Sequence, residues 1–201
     1  IKTYADRKDF ENIQKHASKI KTSVNNLNTI LTEFLSLGKL DEGRTQPEGQ
    51  QLNLRQMVDD VSSELKPLLK TGQTLEYEHH GKEMVFLDPG LLKHSLINLF
   101  SNAIKYSPEN APIRVETAAA GHHVSIRIHD KGVGIPEADQ KHLFSRFFRA
   151  ANAGNIQGTG LGLYIVKRYV ELMNGDIGFE STLGEGTTFW INFETKQPST
   201  G

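Results

Sequence analysis

The strictest constraint in this sequence is an apolar stripe that has nothing of its own to lie against. Phe10, Ile13, Ala17, Ile20, Val24, Leu27, Leu31 and Phe34 recur in steps of three and four, the a/d spacing of a coiled coil or helical bundle. Between them lie Lys, Asn, Ser, Thr and Glu, which suit solvated faces. One stripe cannot bury itself, so the predicted helix needs partners. The alternative is a long helix lying on its own domain, but a seam sustained over about four heptads favours helix-on-helix packing. Gly38, Asp41 and Gly43, then Pro47 and Gly49, predict the end of the helix and a polar connector.

Beyond the connector the periodicity changes. Leu52–Leu69 reads as an amphipathic helix with Leu54, Val58, Val61 and Leu65 on one face. Strand patterns follow at Thr74–His79, Glu83–Leu87, Ile113–Thr117, Val124–His129, Asp176–Glu180 and Thr187–Phe193. Helical patterns occupy Pro89–Tyr106, Pro136–Phe148 and Leu161–Met173. This mixture, closing on two successive strands, predicts an α+β fold, a two-layer α/β sandwich preceded by the long helix. A length of 201 residues suits one core plus such an appended element. A net charge of −1 offers no basic field for nucleic acid or anionic lipid. With no cysteine, disulfides and thiolate metal sites are excluded. No apolar run approaches the roughly 18 residues of a membrane span, and no secretory signal pattern opens the chain. It starts at Ile1 without methionine, so it is read as a piece of something longer.

Three glycine clusters carry candidate chemistry. Asp130-Lys-Gly132-Val-Gly134-Ile135 follows a predicted strand; its carboxylate can accept a hydrogen from an exocyclic amine such as adenine's, and its glycines let backbone approach a flat ring. Alone, such a turn reads equally well as structure. Gly158-Thr-Gly160-Leu161-Gly162-Leu163 leads into a helix whose unpaired N–H groups suit phosphate. Its spacing matches neither the dinucleotide fingerprint nor a P-loop. Gly184-Glu-Gly186-Thr187 reads as a hairpin turn as readily as a site. On the helix after Asp88-Pro89, steps of four and three align Asn98, Asn102 and Lys105, with Tyr106 next. Carboxamide oxygens can ligate magnesium and the lysine can counter a phosphate. Apolar neighbours at Leu96, Leu99, Phe100, Ala103 and Ile104 predict a mostly buried helix, whose polar residues then need a reason.

Together these stretches resemble sensor histidine kinases. Asn98–Tyr106 resembles the family's N box, Asp130–Ile135 its first glycine box, and Leu143-Phe-Ser-Arg146-Phe-Phe-Arg149 its F box; Gly158–Leu163 and Gly184–Thr187 resemble its later glycine boxes. Phe34–Gly43 resembles the end of the second helix of the dimerisation and phosphoacceptor hairpin. The resemblance implies a Bergerat-type ATP-binding catalytic domain over 52–195, a partial hairpin over 1–43, a linker over 44–51 and a tail over 196–201. It implies ATP and Mg2+ as cofactors, with Asn102 as the magnesium ligand, Asn98 and Lys105 near the phosphates, and Tyr106 against adenine. Asp130 would take the adenine amine within the Gly132, Gly134 and Ile135 turn, Thr187 sharing a water there. Gly158, Gly160, Leu161 and Gly162 would present backbone N–H groups to phosphate, Arg146 and Arg149 would steady the transferring phosphoryl group, and Ala150–Gln157 would form a lid. The implied partners are a response regulator receiver domain and a second copy joined through the N-terminal helix, in the cytoplasm.

There are departures from the family pattern. None of the eight histidines stands in the acceptor context His-Glu/Asp-x-Arg/Lys-Thr/Asn-Pro, so the acceptor is expected outside this chain. His16 reads as a helix-surface residue, and His79, His80, His122 and His123 as exposed residues near strand ends. Ser145-Arg146 and Met173-Asn174-Gly175 are local variants of the F box and of a common His-Gly-Gly turn. An ATP hydrolase or clamp of the same fold is the second reading; those branches usually place a general-base Glu four residues before the magnesium Asn, where this chain has Asn98, which cannot act as a base. A non-catalytic nucleotide-binding dimerisation module is the third.

Overall fold

The computed structural model describes residues 10–154, 156 and 158–195. The chain divides into two compact units, Ile1–Arg44 and Thr45–Gly201. Within the first, α1 (Phe10–Asp41) is a single helix. It runs through Gly38 and ends at Gly43, whose φ of 65° supplies the left-handed turn. Gly43 N donates to the Leu40 carbonyl and Arg44 N to the Lys39 carbonyl, satisfying carbonyls the helix leaves open. The predicted stripe stays largely uncovered: Phe10, Ile20, Val24, Leu27, Leu31 and Phe34 are all exposed.

The second unit is a mixed five-stranded sheet with helices packed against it. Strands β2 (Thr74–Gly81), β4 (Pro112–Ala120), β5 (His123–Asp130), β6 (Gly175–Thr182) and β7 (Gly186–Glu194) lie in the order β2-β4-β5-β7-β6. β2 runs parallel to β4, and the other neighbours are antiparallel. Burial alternates along β4, where Ile113, Val115, Thr117 and Ala119 are buried and Arg114, Glu116 and Ala120 exposed. That period of two marks one covered and one open sheet face. The covering helices are α2 (Leu54–Leu65), α3 (Pro89–Tyr106) and α5 (Gly162–Leu172). Leu54 and Val58 of α2, Leu92, Leu96, Leu99 and Phe100 of α3, and Val166 and Val170 of α5 have no exposed surface.

Several predicted boundaries move, each for a local reason. Leu52 lies in β1 (Gln50–Asn53), which pairs with β3 (Met84–Leu87), so the last two residues of the expected linker are already strand. α2 starts at Leu54 because Asn53 caps it, Oδ1 accepting from Gln56 N at 2.9 Å. Pro67, lacking an N–H, turns the continuation into the 3-10 segment Lys66–Leu68. The helix predicted over 136–148 shrinks to α4 (Glu137–Gln140). Its continuation is a run of i to i+3 turns, and Phe147 at φ 60° cannot be helical. His79 is half-buried and bonded through Nδ1 to Thr117 Oγ1 at 2.7 Å, not exposed at a strand end. Asn155 and Gln157 of the expected lid, and the tail from residue 196, lie outside the described residues.

α3 begins at Asp88, whose Oδ1 accepts from Leu91 N and whose Oδ2 accepts from Glu48 N, at 2.9 and 2.7 Å. Asp88→Ala should lower the unfolding free energy by about 1–2 kcal/mol, measured by urea denaturation. Asp88→Asn, which keeps the Oδ1 acceptor, should lose less than half of that.

Candidate functional site

The polar face of α3 survives inside an otherwise apolar helix. Asn98 and Asn102 are half-buried and Lys105 is exposed. Among the described residues none of the three side chains has a hydrogen-bond or ion-pair partner. Serine at position 95 shows what the helix does with a buried polar group that has no further role: Ser95 Oγ donates back to the Leu91 carbonyl at 2.8 Å. The far end of α3 is tied down from the α2–β2 turn. Lys70 Nζ donates to the Lys105 and Ser107 carbonyls at 2.7 and 2.5 Å, and buried Gln73 Nε2 reaches the Ile104 and Pro108 carbonyls at 3.2 and 3.0 Å.

That end abuts the first glycine cluster. A Cβ added at Gly132 would come within 2.6 Å of Asp130 Oδ1 and 2.8 Å of the Tyr106 carbonyl, so only glycine fits there. Asp130, the last residue of β5, lies opposite Thr187 on β7. Its Oδ1 accepts from Gly132 N at 2.8 Å and Thr187 N at 3.3 Å, and among the described residues Oδ2 accepts from none. Burial pushes this carboxyl up to about 6, against the pull of the two backbone donors. Burial also pushes the Tyr106 phenol up, with the nearby Arg149 charge pulling the other way.

The second glycine cluster joins the F box. Gly160, at φ 76°, leaves no room for a Cβ, which would lie 2.6 Å from Phe147 backbone carbon and 2.8 Å from the Phe148 carbonyl. Leu161 holds the cap position of α5, its own N–H donating to Thr159 Oγ1 at 3.1 Å and so not free as expected, while the first-turn N–H groups after it have no side-chain acceptor among the described residues. Of the two candidate arginines, Arg146 lies 4.6 Å over the Tyr164 ring and donates to its hydroxyl at 2.7 Å. Arg149 donates to the Gly154 carbonyl at 3.4 Å and to the Ile156 carbonyl, holding the lid segment. Both are exposed. The lid is also tied to the first glycine cluster, Asn152 Nδ2 donating to the Gly134 carbonyl at 2.8 Å.

Thus Tyr106, Asp130, Gly132 and Thr187 form one contact group, with the Arg149 charge near Tyr106, while Gly160 adjoins the F box. Gly158 has open space around it. Reading the residues alone missed Ser181, Gln140 and Tyr164, which link these pieces. Ile135 N donates to Ser181 Oγ at 2.9 Å, and Gln140 Nε2 donates to the Ile135 and Ser181 carbonyls, each at 3.1 Å. Only the strand register, which sets Ser181 opposite Thr187, could have revealed the serine.

The family described as histidine kinase-, DNA gyrase B-, and HSP90-like ATPase matches residues 87–197; the chain belongs to this family and is a catalytic ATP-binding domain of the sensor histidine kinase kind. The chain is 36% identical over 183 residues to the sensor histidine kinase GacS of Pseudomonas protegens, a match spanning 86% of this chain and 20% of GacS. The chain thus spans about a fifth of the length of that curated relative. The Acinetobacter baumannii histidine kinase AdeS superposes with a TM-score of 0.72 at 20% identity, covering 87% of this chain and 81% of AdeS. Full-length ShkA, solved in complex with AMPPNP, gives 0.77 at 22% identity, covering 92% of this chain and 39% of ShkA. Among the described residues no helix is long and apolar enough to cross a membrane.

The raised Asp130 pKa sets a pH dependence. If Asp130 takes an adenine amine, as the family resemblance implies, a protonated Oδ2 would point a donor at that donor, so ADP affinity should fall as pH drops through about 6. Free of nucleotide the sign reverses. The folded state holds the proton more tightly than the unfolded one, whose carboxyl titrates near 3.8, so Asp130's contribution to stability rises as pH falls through about 6. Calorimetric titration and thermal melts at about pH 5 and about pH 8 check both signs.

Proposed function

We propose that this chain binds ATP with magnesium and transfers its γ-phosphoryl group to a histidine on a helical hairpin, for relay to a response regulator receiver domain in the cytoplasm. The observation that carries this reading is the half-buried Asp130 carboxylate: one oxygen is held by two backbone N–H groups and, among the described residues, the other has no donor, at the foot of a helix whose Asn98, Asn102 and Lys105 side chains have no partner among those residues. Asn102 is the proposed magnesium ligand, with Asn98 and Lys105 toward the phosphates, Tyr106 against adenine, and the uncapped start of α5 receiving phosphate oxygens. Carboxamide donors on this face suit a magnesium ion that keeps several waters and bridges phosphates. When bound, the metal supplies charge neutralisation to the phosphoryl group. Asn98 stands where a hydrolase of this fold would carry a carboxylate base, which favours transfer to a positioned acceptor over hydrolysis. Arg146 and Arg149, both exposed, are the proposed cations that would leave their present partners, Tyr164 and the Gly154 and Ile156 carbonyls, to steady a transferring phosphoryl group.

Asn102→Ala should abolish the magnesium-dependent part of ATP affinity and leave weaker, metal-independent binding, whereas Asp130→Ala should abolish binding with or without the metal. Titration calorimetry with and without a chelator separates the two. Magnesium dependence surviving in Asn102→Ala would overturn the ligand assignment. None of the eight histidines has the acceptor context, so labelled ATP should leave the chain itself unlabelled. A separately supplied hairpin carrying that context should become labelled in trans.

The N-terminal helix is the proposed second half of such a hairpin, and its exposed stripe the surface that pairs with a second copy. Light scattering should show self-association of the full chain and a monomer when it begins near Gln50. Two monomers at high concentration would sink the bundle reading.

A further inference from the structure

Resting on the adenine-site reading above, we propose that Lys70 is a positioning residue for the nucleotide base, acting through the backbone on either side of Tyr106. A helix leaves its last four carbonyls without intrahelical donors, so its final turn is the part most free to fray. In α3 that turn carries Lys105 and Tyr106, the end of the polar strip. Lys70 Nζ donates to the Lys105 carbonyl at 2.7 Å and to the Ser107 carbonyl at 2.5 Å. These two acceptors flank Tyr106. The Tyr106 carbonyl between them lies against Gly132, whose N–H holds Asp130 Oδ1. Of three consecutive peptide groups, one ammonium thus holds the outer two, and the middle one abuts the turn beside Asp130.

Lys70 is itself held in place. Its N–H donates to Gln73 Oε1 at 2.9 Å, and Gln73 N donates back to the Lys70 carbonyl at 3.0 Å. Asn110 N donates to the Thr71 carbonyl at 2.9 Å, joining the same turn to the loop after α3. Gln73 adds neutral bonds to the Ile104, Ser107 and Pro108 carbonyls at 3.2, 3.3 and 3.0 Å. Lys70 is the charged member of this pair. A hydrogen bond from an ammonium is roughly twice as strong as a neutral one, and a cation suits the negative end of a helix. Asn102 and Asn98 lie one and two turns back, where Leu96, Leu99 and Phe100 fix the helix by packing. Loss of the Lys70 charge therefore loosens the base end of the site and spares the asparagines proposed to meet metal and phosphate.

The sequence contains no cysteine, so Lys70→Cys gives a single thiol at which the charge can be put back. Alkylation with bromoethylamine rebuilds a lysine-like ammonium there, and iodoacetamide adds similar bulk without the charge. The probes are ATP and inorganic tripolyphosphate, each titrated into the full chain with magnesium. Lys70→Cys should weaken ATP about three- to tenfold, the range for one net hydrogen bond, and leave tripolyphosphate within about twofold of the wild type. Bromoethylamine should return ATP affinity to within about twofold of the wild type, and iodoacetamide should not. Unchanged ATP affinity, equal weakening of both probes, or equal recovery with either reagent overturns the inference. If Lys70→Cys does not fold, Lys70→Gln and Lys70→Arg take its place. The glutamine substitution should then weaken ATP alone, and the arginine substitution should keep both affinities. A Lys70→Gln chain that binds ATP as the wild type does, or loses both probes equally, overturns the inference. Asp130→Ala binding ATP as the wild type does would instead overturn the adenine-site reading itself.

Discussion

Everything in the catalytic unit is arranged around α3, a helix that must be buried on its apolar sides and open along one polar strip. Leu92, Leu96, Leu99 and Phe100 have no exposed surface, so the helix cannot roll without pulling large side chains out of the core. Its ends are fixed as well. Asp88 caps the start, and Lys70 and Gln73 hold the last carbonyls at the other end. Asn98, Asn102 and Lys105 therefore face a constant direction without a partner among the described residues. Rigidity comes from the packing beneath them, which leaves their polar groups available.

The sheet supplies the second half of the site by the same logic. Asp130 stands at the end of β5, where the ladder stops and the chain must turn. The register opposite Thr187 and the close approach of Gly132 to the Tyr106 carbonyl bring the carboxylate to the foot of α3. Gly186, at φ 121°, lets the hairpin lie against the Asp130 carbonyl, 2.1 Å from where a Cβ would stand. Two late strands that read as a plain hairpin thus build one wall of the pocket.

Much of this was legible in the residues because it depends on periodicity and on residue types with few uses. The α3 boundaries, the alternation in β4 and β5, and the turn at Gly184–Gly186 follow from local pattern. What was not legible depends on partners distant in sequence. β1 is four residues long and exists only because β3 pairs with it. The helix expected over 136–148 has the composition for one, yet the left-handed Phe147 and the pull of Gln140 toward the Ile135 and Ser181 carbonyls set its course. Ser181 looks like any strand serine until the register is known. His79 is similar, since its bond to Thr117 crosses between strands that are parallel neighbours only after the crossover through α3.

The site also opposes the fold that carries it. A half-buried carboxylate whose pKa is pushed up to about 6 is less stable ionised than it would be in water. A helix start without a side-chain cap and two half-buried carboxamides without partners among the described residues add to that penalty. On the proposed reading each of these groups would meet a complement in a magnesium nucleotide: an amine for Asp130, oxygen anions for the α5 N–H groups, a cation for the Asn102 oxygen. Because those complements are all on one molecule, nucleotide bound in that way would relieve the strain and couple the sheet end, the helix face and the glycine turn into one unit. The core residues of α3 and the sheet make that coupling possible, since they hold the opposing groups in place while the site is empty.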